Sequence, residues 1–170
     1  DYLKKHVLHV AGLATFIALE MGWKEHMAEA AGIAALLHDI GMATVDSSIL
    51  NKESKLTEEE WKAVREHPRR GADLLKGVGG KFHQYSFVAM QHHEREDGSG
   101  YPHGMTGAGM HEIARIVGLA DTYEAMVAPR VYKEKKTPKE ALKELEGLGR
   151  QGVFDPFVVD VFIDKAKKHI

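Results

Sequence analysis

Two adjacent histidines lead the stretch Gln91-His92-His93-Glu94-Arg95-Glu96-Asp97-Gly98-Ser99-Gly100-Tyr101-Pro102. His38-Asp39, His67 and Asp121 add further imidazoles and two carboxylates. Imidazole nitrogen and carboxylate oxygen suit borderline divalent metals such as iron, manganese and zinc. A carboxylate can also bridge two ions, as an imidazole normally cannot, and Asp39 beside His38 is placed to do so. Two ions roughly 3.5–4 Å apart can clamp the attacking and leaving oxygens of a phosphoester displacement and acidify a bridging water. The chain has no cysteine and no phosphate-cradling Gly-Lys-Ser/Thr loop, which excludes disulfides, thiolate metal sites and P-loop chemistry.

These side chains need rigid elements behind them. Tyr85-Ser86-Phe87-Val88-Ala89-Met90 is apolar and free of breakers, so His92 and His93 end a helix. Gly98, Gly100 and Pro102 cannot continue it, and a shaped loop follows to about Met110. Residues 2–21 carry Leu3, Val7, Val10, Leu13, Ala14 and Ile17 at helical spacing, with His6 and His9 three apart and Gly22 as the stop. The next helix, over 24–38, is apolar nearly all round at Ile33-Ala34-Ala35-Leu36-Leu37 and therefore buried, with His38-Asp39 at its end and Gly41 beyond. Residues 46–55 read as a polar loop. Thr57 with Glu60 is a capping box for a helix to about Glu66, and His67-Pro68 opens another over 69–76. Gly77, Gly79 and Gly80 read as a flexible connection. Ile113 to Val127 is an apolar helix with Asp121 inside it. A loop over 129–136 precedes a second capping box, Thr137 with Glu140, and Asp155-Pro156 opens a last amphipathic helix. No strand-like alternation, repeat or low-complexity segment occurs, so the fold class is all-α, a helical bundle of about seven or eight helices.

At 170 residues, 44% hydrophobic and 28% charged, the chain reads as one domain over 1–170. A formal net charge of -2 argues against a global basic surface and so against a nucleic-acid polymer as partner. No apolar run reaches about 18 residues, no signal peptide is visible and the absence of cysteine fits a reducing compartment, so no membrane contact and a cytoplasmic location are expected. Helical periodicity begins at once after Asp1, and the chain reads as a piece cut from a longer, multidomain signalling protein.

Four groups of residues together resemble the HD-GYP family, a branch of the HD metal-dependent phosphohydrolases: His38-Asp39-Ile40-Gly41; His67-Pro68 with Gly71; His92-His93-Glu94 with Asp97-Gly98-Ser99-Gly100-Tyr101-Pro102; and Ala114-Arg115-Ile116 with Ala120-Asp121. The resemblance covers nearly the whole chain, and its run from His-His-Glu to Gly-Tyr-Pro is highly specific. It implies a phosphodiesterase that hydrolyses cyclic di-GMP to linear pGpG and/or GMP. A hydroxide on a dinuclear metal centre would be the nucleophile, with Asp39 and His38 carrying catalysis. The implied metal ligands are His6, His38, Asp39, His67, His92, His93 and Asp121, holding two divalent transition ions, iron or manganese. His6 is preferred to His9 because the family's first His is followed four residues on by Val, here Val10. His9, His26, His83, His103, His111 and His169 have no motif behind them and read as surface or local hydrogen-bonding residues.

The resemblance also assigns substrate contacts. Gly100, Tyr101 and Pro102 would shape the pocket wall. Arg130 and Lys133, in Ala128-Pro129-Arg130-Val131-Tyr132-Lys133, match the family's basic Arg-Pro-Tyr segment and would take phosphates. Two positions depart from the pattern. Tyr2 stands where relatives with a third metal have an acidic residue, so two metals are expected. Met42 stands where the family usually has a phosphate-holding Lys after His-Asp-Ile-Gly. That change keeps two other readings open: a phosphodiesterase for another cyclic dinucleotide, such as cyclic GMP-AMP, or a non-catalytic signalling and binding module. The candidate protein partners are a diguanylate cyclase (GGDEF) domain and a second copy of the chain.

Overall fold

Two capping boxes and the stop at Gly22 divide the chain where its sequence says they should. The computed structural model describes residues 2–52, 54–128 and 135–168. Its helices are α1 (Tyr2–Glu20), α2 (Glu25–Leu37), α3 (Ser47–Leu50), α4 (Glu58–Arg65), α5 (His67–Val78), α6 (Ser86–Gln91), α7 (Glu112–Val127), α8 (Pro138–Arg150) and α9 (Pro156–Ala166). Eight of these have six or more residues, and among the described residues there is no strand, only an isolated bridge between Asp97 and Thr106. Both predicted capping boxes form: Thr57 accepts from the Glu60 amide, Thr137 from that of Glu140, and each glutamate reaches back to its cap's N–H.

Three local expectations are corrected. The segment read as a polar loop contains the single turn α3, because the Asp46 carboxylate accepts from the Ser48 amide at 2.8 Å and starts a helix there. Gly77 lies inside α5, and the chain leaves helical geometry only at Gly79 and Gly80, both at positive φ. Tyr85, read as part of the helix that ends at the histidine pair, instead closes a 3-10 turn, Gly80–Tyr85, and α6 follows directly.

The core is one continuous cluster. Val10, Ala14, Ile17 and Ala18 of α1 meet Ala28, Ala31, Ala34 and Ala35 of α2, and the small side chains let the two helices pack over their length. Helix α7 runs through the centre and buries Ile116, Val117 and Leu119, each contributing about 1.5–3 kcal/mol by removal from water. Helices α8 and α9 close the far side, with Tyr123 of α7 edge-on to Phe162 of α9 at 5.0 Å. On the other side the 3-10 turn Ile40–Thr44 lies directly on α5: a Cβ on Gly41 would overlap the His67 carbonyl oxygen and come within 2.7 Å of the Gly71 amide nitrogen. Only glycine permits this approach, and the approach sets Asp39 over His67.

Candidate metal centre

Five helices each deliver one end or one face to the same point. His6 comes from α1, and His38 and Asp39 from the end of α2. His67 opens α5, His92 and His93 follow α6, and Asp121 lies on α7. His6, His38, His67 and His92 are buried, the latter three at 2% exposure or less. Three of the rings are held from behind by the backbone. Nδ1 of His38 meets the Ala35 carbonyl at 2.6 Å, that of His67 the Val64 carbonyl at 2.7 Å, and that of His92 the Ala89 carbonyl at 2.9 Å. A carbonyl only accepts, so each Nδ1 carries the proton and donates it, and each Nε2 is left facing the cluster.

Those Nε2 atoms surround Asp39 on two sides. Oδ1 of Asp39 lies 3.2 Å from His67 Nε2 and 3.5 Å from His92 Nε2. Oδ2 lies 3.5 Å from His38 Nε2 and 3.7 Å from His6 Nε2. Two sets of donor atoms result, Asp39 with His67, His92 and His93, and Asp39 with His6 and His38, each within a span of 4.8 Å. Asp121 borders the second set, its Oδ1 3.2 Å from His6 Nε2.

Two features show that this donor set fits cations. His38 Nε2 is fully buried and has no hydrogen-bond partner, its 3.5 Å approach to Asp39 lacking hydrogen-bond geometry. His67 and His92 bring their Nε2 atoms within 3.2 Å of one another. Buried polar atoms are rarely left so. Electrostatics point the same way. Burial pushes the Asp39 carboxyl up, but the His38, His67 and His92 rings outweigh it and hold it well below the usual carboxylate range. Burial and neighbouring imidazoles lower His92 and His93, which keeps them neutral electron-pair donors. Burial opposes a charge on His38 as well, but there Asp39 prevails and raises its pKa.

The Gly-Tyr-Pro loop forms a wall beside this cluster. Tyr101 stacks on His93, ring centroids 4.6 Å apart and 20° from parallel. A Cβ on Gly100 would collide with the His93 carbonyl oxygen and the Glu94 Cα, so glycine is required where the loop folds back on its own helix end. Arg130 and Lys133 lie outside the described residues. His9, His26, His83, His103 and His111 are exposed, as expected, and His169 also lies outside the described residues.

Sequence reasoning passed over three side chains. Glu124 of α7 is buried and sits 2.5 Å from His6 Nδ1. Its signal was available, because it follows Asp121 by three residues and so shares a helix face with it. Glu94 is 1% exposed and accepts the amides of His103 at 2.7 Å and Met105 at 2.9 Å. Arg95 donates to the carbonyls of His92 and Glu94 and to Thr122, and lies 4.8 Å over the Phe154 ring. Nothing local in the sequence marks these last two contacts.

The profile of the HD domain family matches residues 1–158. A Xanthomonas campestris protein named as a cyclic di-GMP phosphodiesterase response regulator is 42% identical over 156 residues, covering 91% of this chain and 40% of that protein. A 3'3'-cGAMP-specific phosphodiesterase of Vibrio cholerae is 32% identical over 165 residues, covering 97% of this chain and 38% of that protein. The chain thus spans about two fifths of the length of these relatives. Among solved structures, an HDGYP protein from Bdellovibrio bacteriovorus superposes with a TM-score of 0.76 at 20% identity, covering 97% of this chain and 52% of that one, a likeness of fold. No helix of the described residues is long and apolar enough to cross a membrane.

Proposed function

This chain belongs to the HD domain family and carries the motifs of its HD-GYP branch; from that premise we propose that it is a metal-dependent phosphodiesterase that hydrolyses cyclic di-GMP to linear pGpG and/or GMP. The observation that carries the reading is the division of Asp39, whose two oxygens face separate sets of imidazole nitrogens. A carboxylate so placed is suited to bridge two ions. His67, His92 and His93 would hold one, and His6, His38 and Asp121 the other, with iron or manganese fitting this nitrogen and oxygen set. Such ions acidify water and neutralise charge on phosphate oxygens.

The protein's own groups do the rest. Asp39 stays ionised because the surrounding imidazoles outweigh its burial. His38 and His92 present Nε2 because backbone carbonyls occupy Nδ1. Gly100, Tyr101 and Pro102 form the wall against which substrate rests, and Arg130 and Lys133 are the phosphate-binding cations assigned by resemblance. The reading carries with it a cytoplasmic location and, as candidate partners, a GGDEF domain and a second copy of the chain.

A second substrate, cyclic GMP-AMP, is favoured by the Vibrio cholerae relative named for it and by Met42 in place of a lysine. The test is product analysis by chromatography after metal-loaded protein is incubated with each dinucleotide separately. Faster loss of cyclic di-GMP, with pGpG or GMP appearing, is the expected result. Faster loss of cyclic GMP-AMP would reassign the substrate. No turnover of either by protein with full metal content would leave a non-catalytic binding module.

A further inference from the structure

Arg65, the last residue of α4, is exposed and stands two residues ahead of His67. Its guanidinium carbon lies 5.5 Å from the centroid of the Tyr101 ring. That ring stacks on His93, and His93 meets His67 with centroids 5.1 Å apart. Arg65 therefore belongs to the rim of the metal centre, although it follows none of the family's motifs. Among the described residues no carboxylate pairs with it, whereas Arg115, Arg150 and several lysines are paired. Arg95, the other arginine that the described residues place over an aromatic ring, spends its donors on backbone carbonyls and Thr122. An unpaired guanidinium held on an aromatic wall is pre-oriented for a planar anion such as phosphate.

We infer that Arg65 binds the second phosphate of the cyclic dinucleotide, the one that is not being cleaved; this rests on the function proposed above. A cyclic dinucleotide carries two phosphates on one ring, and only one can lie over Asp39. The cluster is deep, with Asp39 at 15% side-chain exposure and the His6, His38, His67 and His92 rings more buried still, while Arg65 is at the surface. The second phosphate extends outward over the Tyr101 wall, where Arg65 is the cation that the described residues place on the ring. With Met42 in the place of a lysine, this contact supplies charge that the His-Asp turn does not.

The test compares wild type with Arg65→Met, which keeps an unbranched side chain on Tyr101 and removes the charge and the N–H donors, and with Arg65→Lys. Three quantities are read: KM for cyclic di-GMP against ionic strength, the inhibition constant of linear GpG, which has a single phosphate, and metal content. In Arg65→Met, KM should rise about tenfold, the loss expected for one charge-assisted phosphate contact. Its salt dependence should flatten, and Arg65→Lys should recover part of the affinity. GpG inhibition and metal content should stay at wild-type levels. An unchanged KM overturns the inference, as does an equal rise for GpG, because the contact would then be to the base or to the cleaved phosphate. Loss of metal would show that Arg65 acts through His67 instead. If wild type itself leaves cyclic di-GMP intact, the proposed function falls and this inference with it.

Discussion

His6 and Glu124 meet across 118 residues of chain, Nδ1 to Oε2 at 2.5 Å, both side chains buried. The contact turns His6 Nε2 toward Asp121 and Asp39. Burial opposes a charge on the ring, but the hydrogen bonds to Asp121 and Glu124 outweigh it and raise its pKa to about 9. Carboxylate partners of this kind orient ligand imidazoles, and their loss typically costs about 10- to 100-fold in metal affinity. Glu124→Ala should show a loss in that range when titrated against a competing chelator, and Glu124→Gln a smaller one because its amide oxygen still accepts from Nδ1. Wild-type affinity in both variants would mean that His6 needs no partner or is no ligand.

Asp39 should be the residue that both ions share. Elemental analysis of anaerobically purified protein is expected to give about two transition ions per chain, the count a bridged pair requires. Asp39→Ala should lose both and nearly all activity, while the far-ultraviolet dichroism of the helices persists. A variant that keeps one ion at full occupancy would show two independent sites in place of a bridged pair.

The helices were legible because their signals are local. Thr57 with Glu60, Thr137 with Glu140, and Gly22 at φ 80° stand where the sequence puts a start or a stop. Turns that depend on one side chain were harder: Asp46 capping Ser48 looks the same in a polar loop as at a helix start. The candidate ligand set came from motif resemblance, since nothing between His6 and Asp121 says that α1 and α7 pack together. Glu94 and Arg95 lay inside the most specific motif, yet their partners, the amides of His103 and Met105 and the hydroxyl of Thr122, come from how the loop returns on α7. Close approach was equally hidden: Gly41 is an ordinary helix breaker until the His67 carbonyl is found where its Cβ would be.

Met42 is half-buried in the turn that follows Asp39 and donates its amide to the Asp39 carbonyl at 2.9 Å. Met42→Lys adds an ammonium to that turn. A well-placed charge-assisted contact to phosphate contributes roughly 1.5–3 kcal/mol, and exposure with a flexible stem reduces it. A clear fall in KM for cyclic di-GMP is expected. An unchanged KM, set beside a damaging Arg130→Ala, would show that the phosphates are already neutralised from the other basic loop.

The Gly-Tyr-Pro loop should depend on Glu94. Its carboxylate is 1% exposed and accepts the amides of His103 and Met105 on the far side of Tyr101 and Pro102. Each hydrogen bond to a charged group contributes about 1.5–3 kcal/mol, and the cost of keeping the carboxylate buried offsets part of that. Glu94→Ala is expected to lose about 2–4 kcal/mol, the two amides then having no acceptor. For a chain of this size that lowers Tm by about 5–15 °C. Glu94→Gln retains one acceptor but turns an NH2 toward the other amide, so it should fall between. Because Tyr101 stacks on His93, a loosened loop should also raise KM for the dinucleotide more than it lowers kcat. Thermal denaturation and steady-state kinetics on both variants check this. Glu94→Ala with wild-type Tm and KM would mean that Gly100 and the His93 contact hold the loop without these two hydrogen bonds.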